Sequence, residues 1–70
     1  MFKLYDIVKL KKDDDVHGVK ESFTGTIVDV QAGGKAFTVE FIDEKGETVE
    51  PALFADYKPD EIDLVQSVNI

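Results

Sequence analysis

Apolar and polar positions alternate most cleanly between Lys35 and Asp43. Phe37, Val39 and Phe41 fall on one face, and Ala36, Thr38, Glu40 and Ile42 on the other. This period of two predicts a β-strand with one buried side. The preceding run, Phe23–Val30, is equally β-rich but less regular, because Ile27, Val28 and Val30 put apolar groups on both faces. A strand whose second face is also partly covered has this pattern, as in a small closed barrel. Between the two runs stands Gly33-Gly34, a pair that accepts positive φ without a Cβ clash and so predicts a hairpin turn.

The remaining elements arrange themselves around this hairpin. Leu4–Leu10 carries β-branched and aromatic residues without a breaker and predicts the first strand. Residues 11–22, opening on Lys11-Lys12-Asp13-Asp14-Asp15, are too polar to bury and read as one long mobile loop. Glu44-Lys45-Gly46 predicts a second tight turn. Thr48–Leu53 follows as a fourth strand, with Pro51 placing it at an edge, an end or a bulge. Phe54–Pro59 is irregular. Pro59 before Asp60-Glu61 suits the opening of a short helical turn. Ile62–Val68 is the last strand, and the tail 67–70 is expected to fray. The expected fold is all-β, a small five-stranded, partly open barrel forming one domain over residues 1–70. Its expected core is Val8, Leu10, Val28, Val30, Phe37, Val39, Phe41, Leu53, Ile62 and Leu64.

Length narrows the chemistry. A chain of 70 residues buries only about 60% of its unfolded surface, enough for one core but not for a deep catalytic cleft. Without cysteine there is neither a disulfide framework nor a zinc-thiolate site. Asp6 stands where a signal peptide would run apolar, and no stretch approaches membrane-spanning length, so a cytoplasmic protein is expected.

Charge changes the picture more. The net charge is −7, and every basic residue is lysine. Residues 1–35 carry six acids and six lysines, which cancel; residues 36–70 carry nine acids against Lys45 and Lys58. The whole imbalance lies in the second half. Its field repels nucleic-acid phosphate and anionic lipid and favours a basic protein partner. Glu40, Asp43, Glu44, Glu47 and Glu50 fall within eleven residues, offset only by Lys45. On strands three and four, alternate residues share a face, so these acids are expected to converge as a partner-binding patch. Phe54 and Tyr57 follow as aromatic anchors; core packing suits Phe54 better, leaving Tyr57 as the candidate contact residue.

Other motifs carry less. His17 is the only histidine and has no cysteine beside it, so it reads as a solvated loop residue. Asp13-x-Asp15-x-His17-Gly18 imitates the start of a calcium loop, but Thr24 stands where the bidentate Glu belongs, so no metal is expected. Gly33-Gly34 precedes no helix and cradles no phosphate. No serine or threonine has a His–acid pair at a readable spacing, so no enzyme and no cofactor are expected.

Asp6-Ile7-Val8, then Gly25-Thr26-Ile27-Val28-Asp29-Val30, then Ala36-Phe37-Thr38-Val39-Glu40-Phe41 resemble an SH3-like barrel of the KOW-related type. More narrowly, they resemble a bacterial family of short proteins of unknown function, some found beside toxin genes. The resemblance spans roughly residues 4–65. It implies five strands with a 3₁₀ turn before the last, and an immunity or antitoxin role. Unlike nucleic-acid-binding KOW modules, this chain has no arginine and acidic loops. The expected function is therefore a non-catalytic acidic module that covers the active site of a basic nuclease toxin. The alternative is an SH3-like interaction or assembly module of a larger complex, with nucleic-acid binding a distant third.

Overall fold

The computed structural model describes residues 1–68. Four strands form one antiparallel sheet: β1 (Ile7–Leu10), β2 (Thr24–Gln31), β3 (Ala36–Ile42) and β4 (Ile62–Gln66), in the order β3-β2-β1-β4. Two 3₁₀ turns, Glu50–Phe54 and Pro59–Glu61, are the helical elements among the described residues. The sheet is open, and it has four strands where five were expected.

The alternation on β3 is as read: Phe37, Val39 and Phe41 are buried and the residues between them half-buried. The irregularity of β2 has a different cause from the expected one. The β2–β3 register shifts between Ile27 and Asp29, where Val28 is the extra residue. This bulge resets the parity, so Ile27 faces the core opposite Val39 while Val28 is 41% exposed. Apolar residues on both faces of the run thus mark a bulge and not a second covered face. Gly25 serves close packing: a Cβ there would stand 2.5 Å from Val39 Cγ1 and 2.7 Å from Phe41 Cδ1.

Both turns form as expected. Gly33 and Gly34 take φ of +67° and +97° in the β2–β3 turn, and the Gly34 amide donates to the Gln31 carbonyl at 3.0 Å. After the Lys45-Gly46 turn, the expected strand over Thr48–Leu53 shrinks to one bridge, Ile42 with Thr48. Pro51 has no N–H to continue a ladder and fits the opening of a helical turn, so the chain winds into the first 3₁₀ turn instead. Ala52 is thereby buried, and Phe54 is turned out to solvent at 88% exposure. The chain then returns to the outer edge of β3, where Phe37 and Tyr57 exchange backbone hydrogen bonds of 2.8 and 2.9 Å.

The loop between β1 and β2 is also more organised than its polarity suggests. Asp14 and Val19 exchange backbone hydrogen bonds of 2.7 and 3.0 Å, closing a small hairpin around Gly18. Val19 is buried, a core residue inside a stretch expected to be solvated. Of the other expected core positions, Leu64 is half-exposed at the β4 edge. Phe23, Ile27, Ala52, Ala55 and Tyr57 join the core unannounced. The Pro59 turn forms as read, closed by the Lys58 amide donating to Glu61 Oε1 at 2.8 Å. In the tail, Ser67 and Val68 hydrogen-bond to buried Asp6, while positions 69 and 70 lie outside the described residues.

Candidate functional site

The second turn is built by one carboxylate. Asp43 Oδ1 accepts the amides of Lys45 and Glu47, both at 2.9 Å, and Gly46 takes φ of +81°. With the turn set, the chain passes through Thr48 and Val49 into the first 3₁₀ turn, which begins at Glu50. The result is an open hollow of about 800 Å³ rimmed by Asp43, Glu44, Glu47 and Glu50, with Lys45 among them. Phe23, Val49 and Pro51 supply apolar lining, and Gly18 of the small hairpin completes one side.

Glu44, Glu47 and Glu50 are exposed. The ion pairs among the described residues, Lys3–Asp6, Lys11–Asp63 and Asp14–His17, involve none of the rim acids, and Lys45 pairs with none of them. Exposed carboxylates beside an apolar floor suit a lysine or arginine side chain, whose stem is apolar and whose tip is cationic.

Four of the six residues expected to bind a partner therefore meet at one place, and two do not. Glu40 pairs with Thr26 on the face of β3 opposite Val39 and Phe41, away from the hollow. Tyr57 is only 4% exposed, its ring edge-on to Phe41 at 5.4 Å between centroids. The roles anticipated for the two aromatics are reversed: Tyr57 packs in the core, and Phe54 stands in solvent.

The Tyr57 hydroxyl leads to a second cluster. It donates to Asp14 Oδ2 at 2.7 Å, and His17 Nδ1 meets the same oxygen at 2.7 Å. The His17 amide adds a bond to Asp14 Oδ1 at 3.3 Å. Burial pushes the Asp14 carboxyl up, but the bonds from Tyr57 and His17 and the imidazole charge outweigh it and hold the group below its usual range. Burial, and then the carboxylate it donates to, push the Tyr57 phenol well above its ordinary value. His17 is thus fastened to Asp14 instead of lying free in the loop. Asp13 likewise accepts the Glu21 amide at 2.8 Å. Among the described residues, no three acidic, histidine or cysteine side chains gather as a metal-holding set.

The model of a domain of unknown function, DUF4926, matches residues 4–56. The chain belongs to the DUF4926 family. No curated protein matches the chain, and no solved structure does. The DUF4926 match runs from before β1 to just past the first 3₁₀ turn, so it contains the rim of the hollow, Asp14 and His17. It ends one residue before Tyr57 and leaves out β4. No helix among the described residues is long and apolar enough to cross a membrane.

The Asp14–His17–Tyr57 cluster was not legible in the sequence. Three consecutive aspartates give no sign of which carboxylate turns inward, and Tyr57 lies 43 positions from Asp14. The one available signal was the mixed character of Val16–Val19, where two valines flank His17-Gly18 in a loop otherwise polar.

Proposed function

We propose that this chain is a non-catalytic acidic binding module that docks on a basic protein surface through the hollow at the second turn. The observation that carries this is the convergence of Asp43, Glu44, Glu47 and Glu50 around an apolar floor, where four acids outnumber Lys45 and, among the described residues, none is in an ion pair. Like charges held this close repel one another in the free protein, and a cationic partner relieves that repulsion. Phe54, exposed at the far end of the first 3₁₀ turn from Glu50, adds an aromatic anchor of the kind that dominates interface energetics.

The function that fits these features is an immunity or antitoxin protein acting in the cytoplasm on a basic nuclease toxin. The carboxylates take the places of substrate phosphates, and the acidic field steers the encounter. In the second reading the chain is an SH3-like assembly module. What favours it is the topology: a 3₁₀ turn directly precedes the last strand, which pairs back with the first. Nucleic-acid binding is disfavoured by the net charge of −7.

The deciding experiment starts from the protein encoded next to this one. The purified neighbour is assayed for nuclease activity with and without the chain. Stoichiometric inhibition by wild type, weakened by salt and by the double change Glu44→Lys, Glu47→Lys, is the expected result. Binding without inhibition moves the assignment to the assembly reading. Binding that ignores both salt and charge reversal overturns the acidic docking surface itself.

A further inference from the structure

The small hairpin Asp14–Val19 stands between two concavities. Gly18 and the acidic rim line one of them; Asp14, Val16 and His17 line the other, an open groove of about 740 Å³ that also includes Leu10, Ala55 and Tyr57. The hairpin is therefore a shared wall. On the hollow side Gly18 faces Val49, which lines the same hollow, with room for a Cβ between them. On the groove side its polar attachment is the bond between the Tyr57 hydroxyl and Asp14.

The two ends of that bond differ in rigidity. Tyr57 is held by its buried ring, by Phe41 and by its backbone pairing with Phe37. Asp14 belongs to a six-residue hairpin closed by one pair of backbone bonds and by the His17 contacts to Asp14, with the Glu21 amide on Asp13 just outside it and Val19 as its buried plug. A short, mostly exposed hairpin opens locally at low free energy unless something outside it holds it. A charge-assisted bond from a fixed phenol is such a hold.

We infer that Tyr57 is a positioning residue for partner docking: acting through Asp14, it fixes the hairpin so that Gly18 stands as a preformed wall of the acidic hollow. This rests on the docking role proposed above. It assigns Tyr57 an indirect part at a site it does not touch. His17, on the same Asp14 oxygen, braces the joint from within the hairpin.

Tyr57→Phe removes the hydroxyl and keeps the ring. Amide hydrogen exchange tests the wall, because the Val19 amide donates to Asp14 across the hairpin while the Ile27 amide donates to Asp6 deep in the sheet. Val19 exchange should accelerate about tenfold or more in the variant, with Ile27 unchanged. Titration with a deca-arginine peptide at low and high salt tests the docking. Tyr57→Phe should weaken binding by a similar factor at both salt concentrations, since it alters fit and leaves the charges in place. The Glu44→Lys, Glu47→Lys pair should instead flatten the salt dependence. Unchanged Val19 exchange, or faster exchange with unaltered peptide affinity, overturns the positioning role. A wild-type chain that does not bind the peptide, or a charge-reversed pair that binds equally well, overturns the docking reading and the positioning role with it. The two failures are distinct, because only the second involves proteins in which Tyr57 is intact.

Discussion

Asp6 Oδ1 accepts the backbone amide of Val68 at 3.2 Å, joining positions 62 residues apart through a carboxylate with no solvent exposure. The other oxygen accepts the Lys3 amide at 3.0 Å, and the Ser67 hydroxyl approaches Oδ1 at 3.4 Å. The Lys3 ammonium lies 3.9 Å away and donates to Ser67 Oγ at 2.8 Å. One buried acid thus fastens the N-terminal turn to the chain beyond β4. Burial opposes its charge, but the two amides, the ammonium and the hydroxyl together hold the carboxyl below its usual range.

Asp6→Ala should therefore be among the most damaging single changes outside the apolar core. It removes the acceptor of the Lys3 and Val68 amides, both only partly shielded from solvent, and frees the attachment of the chain end. A loss of about 2–4 kcal/mol is expected by urea denaturation. Asp6→Asn keeps the shape but turns an amide donor toward other donors, so it should recover only part of that. A midpoint unmoved by Asp6→Ala would show that the termini contribute no cooperative stability.

The pH dependence follows from three groups. Asp6 and Asp14 both titrate lower in the folded chain than a free aspartate, whose pKa is about 3.9. Between the folded and unfolded values the unfolded chain binds more protons, so stability rises with pH there. Their contribution is complete above the unfolded value and is lost as pH falls through the folded ones. Tyr57 is shifted the other way: its contribution is complete below the phenol's ordinary value of about 10 and is lost as pH rises beyond it. Thermal melts should show an acid limb that Asp14→Asn makes shallower and an alkaline limb that Tyr57→Phe makes shallower. If either variant leaves its limb unchanged, that residue is not the titrating group.

Gly25 gives a packing test. Its missing Cβ leaves room for Val39 and Phe41, both fully buried and both on β3. Gly25→Ala would force a methyl within 2.5 Å of Val39 Cγ1, which neither sheet neighbour can accommodate without shifting. Destabilisation of about 1–3 kcal/mol is expected. Val39→Ala in the same chain should restore part of it by opening the space, and the absence of any such rescue would place the strain elsewhere.

What the sequence made legible is what period and turn chemistry determine locally. The β3 alternation, both glycine turns and the Pro59 turn could be read because each depends on residues within a few positions of one another. The Val28 bulge escaped because a run such as Ile27-Val28-Asp29-Val30 looks alike whether its second face is covered or its parity is reset. The strand read over Thr48–Leu53 failed where Pro51 favoured a helical turn over a ladder. The acidic rim was visible as composition, but its exclusion of Glu40 depends on which face of β3 is buried. Asp6, Asp14 and Tyr57 form contacts across 43 to 62 positions, and local periodicity carries no information at that range.

The rim itself is tested most directly by reversing two of its charges. Glu44 and Glu47 are exposed, and neither side chain makes an ion pair among the described residues. Their conversion to lysine should change stability by no more than about 0.5 kcal/mol. Asp43 should be left intact in this experiment, because its carboxylate holds the turn through two amides and its loss would distort the hollow. If the hollow receives a basic partner, the double variant loses the steering field before contact is made, so association should slow more than dissociation quickens. Salt should slow wild-type association by screening the same charges and have much less effect on the variant. Phe54→Ala, changed separately, should leave association and salt dependence alone and speed dissociation, because an exposed aromatic acts only once the surfaces touch. Two variants that separate in this way would locate the charge in the Lys45-Gly46 turn and the anchor at the far end of the first 3₁₀ turn. A charge-reversed chain that associates as fast as wild type would leave the acids as a solubilising surface and nothing more.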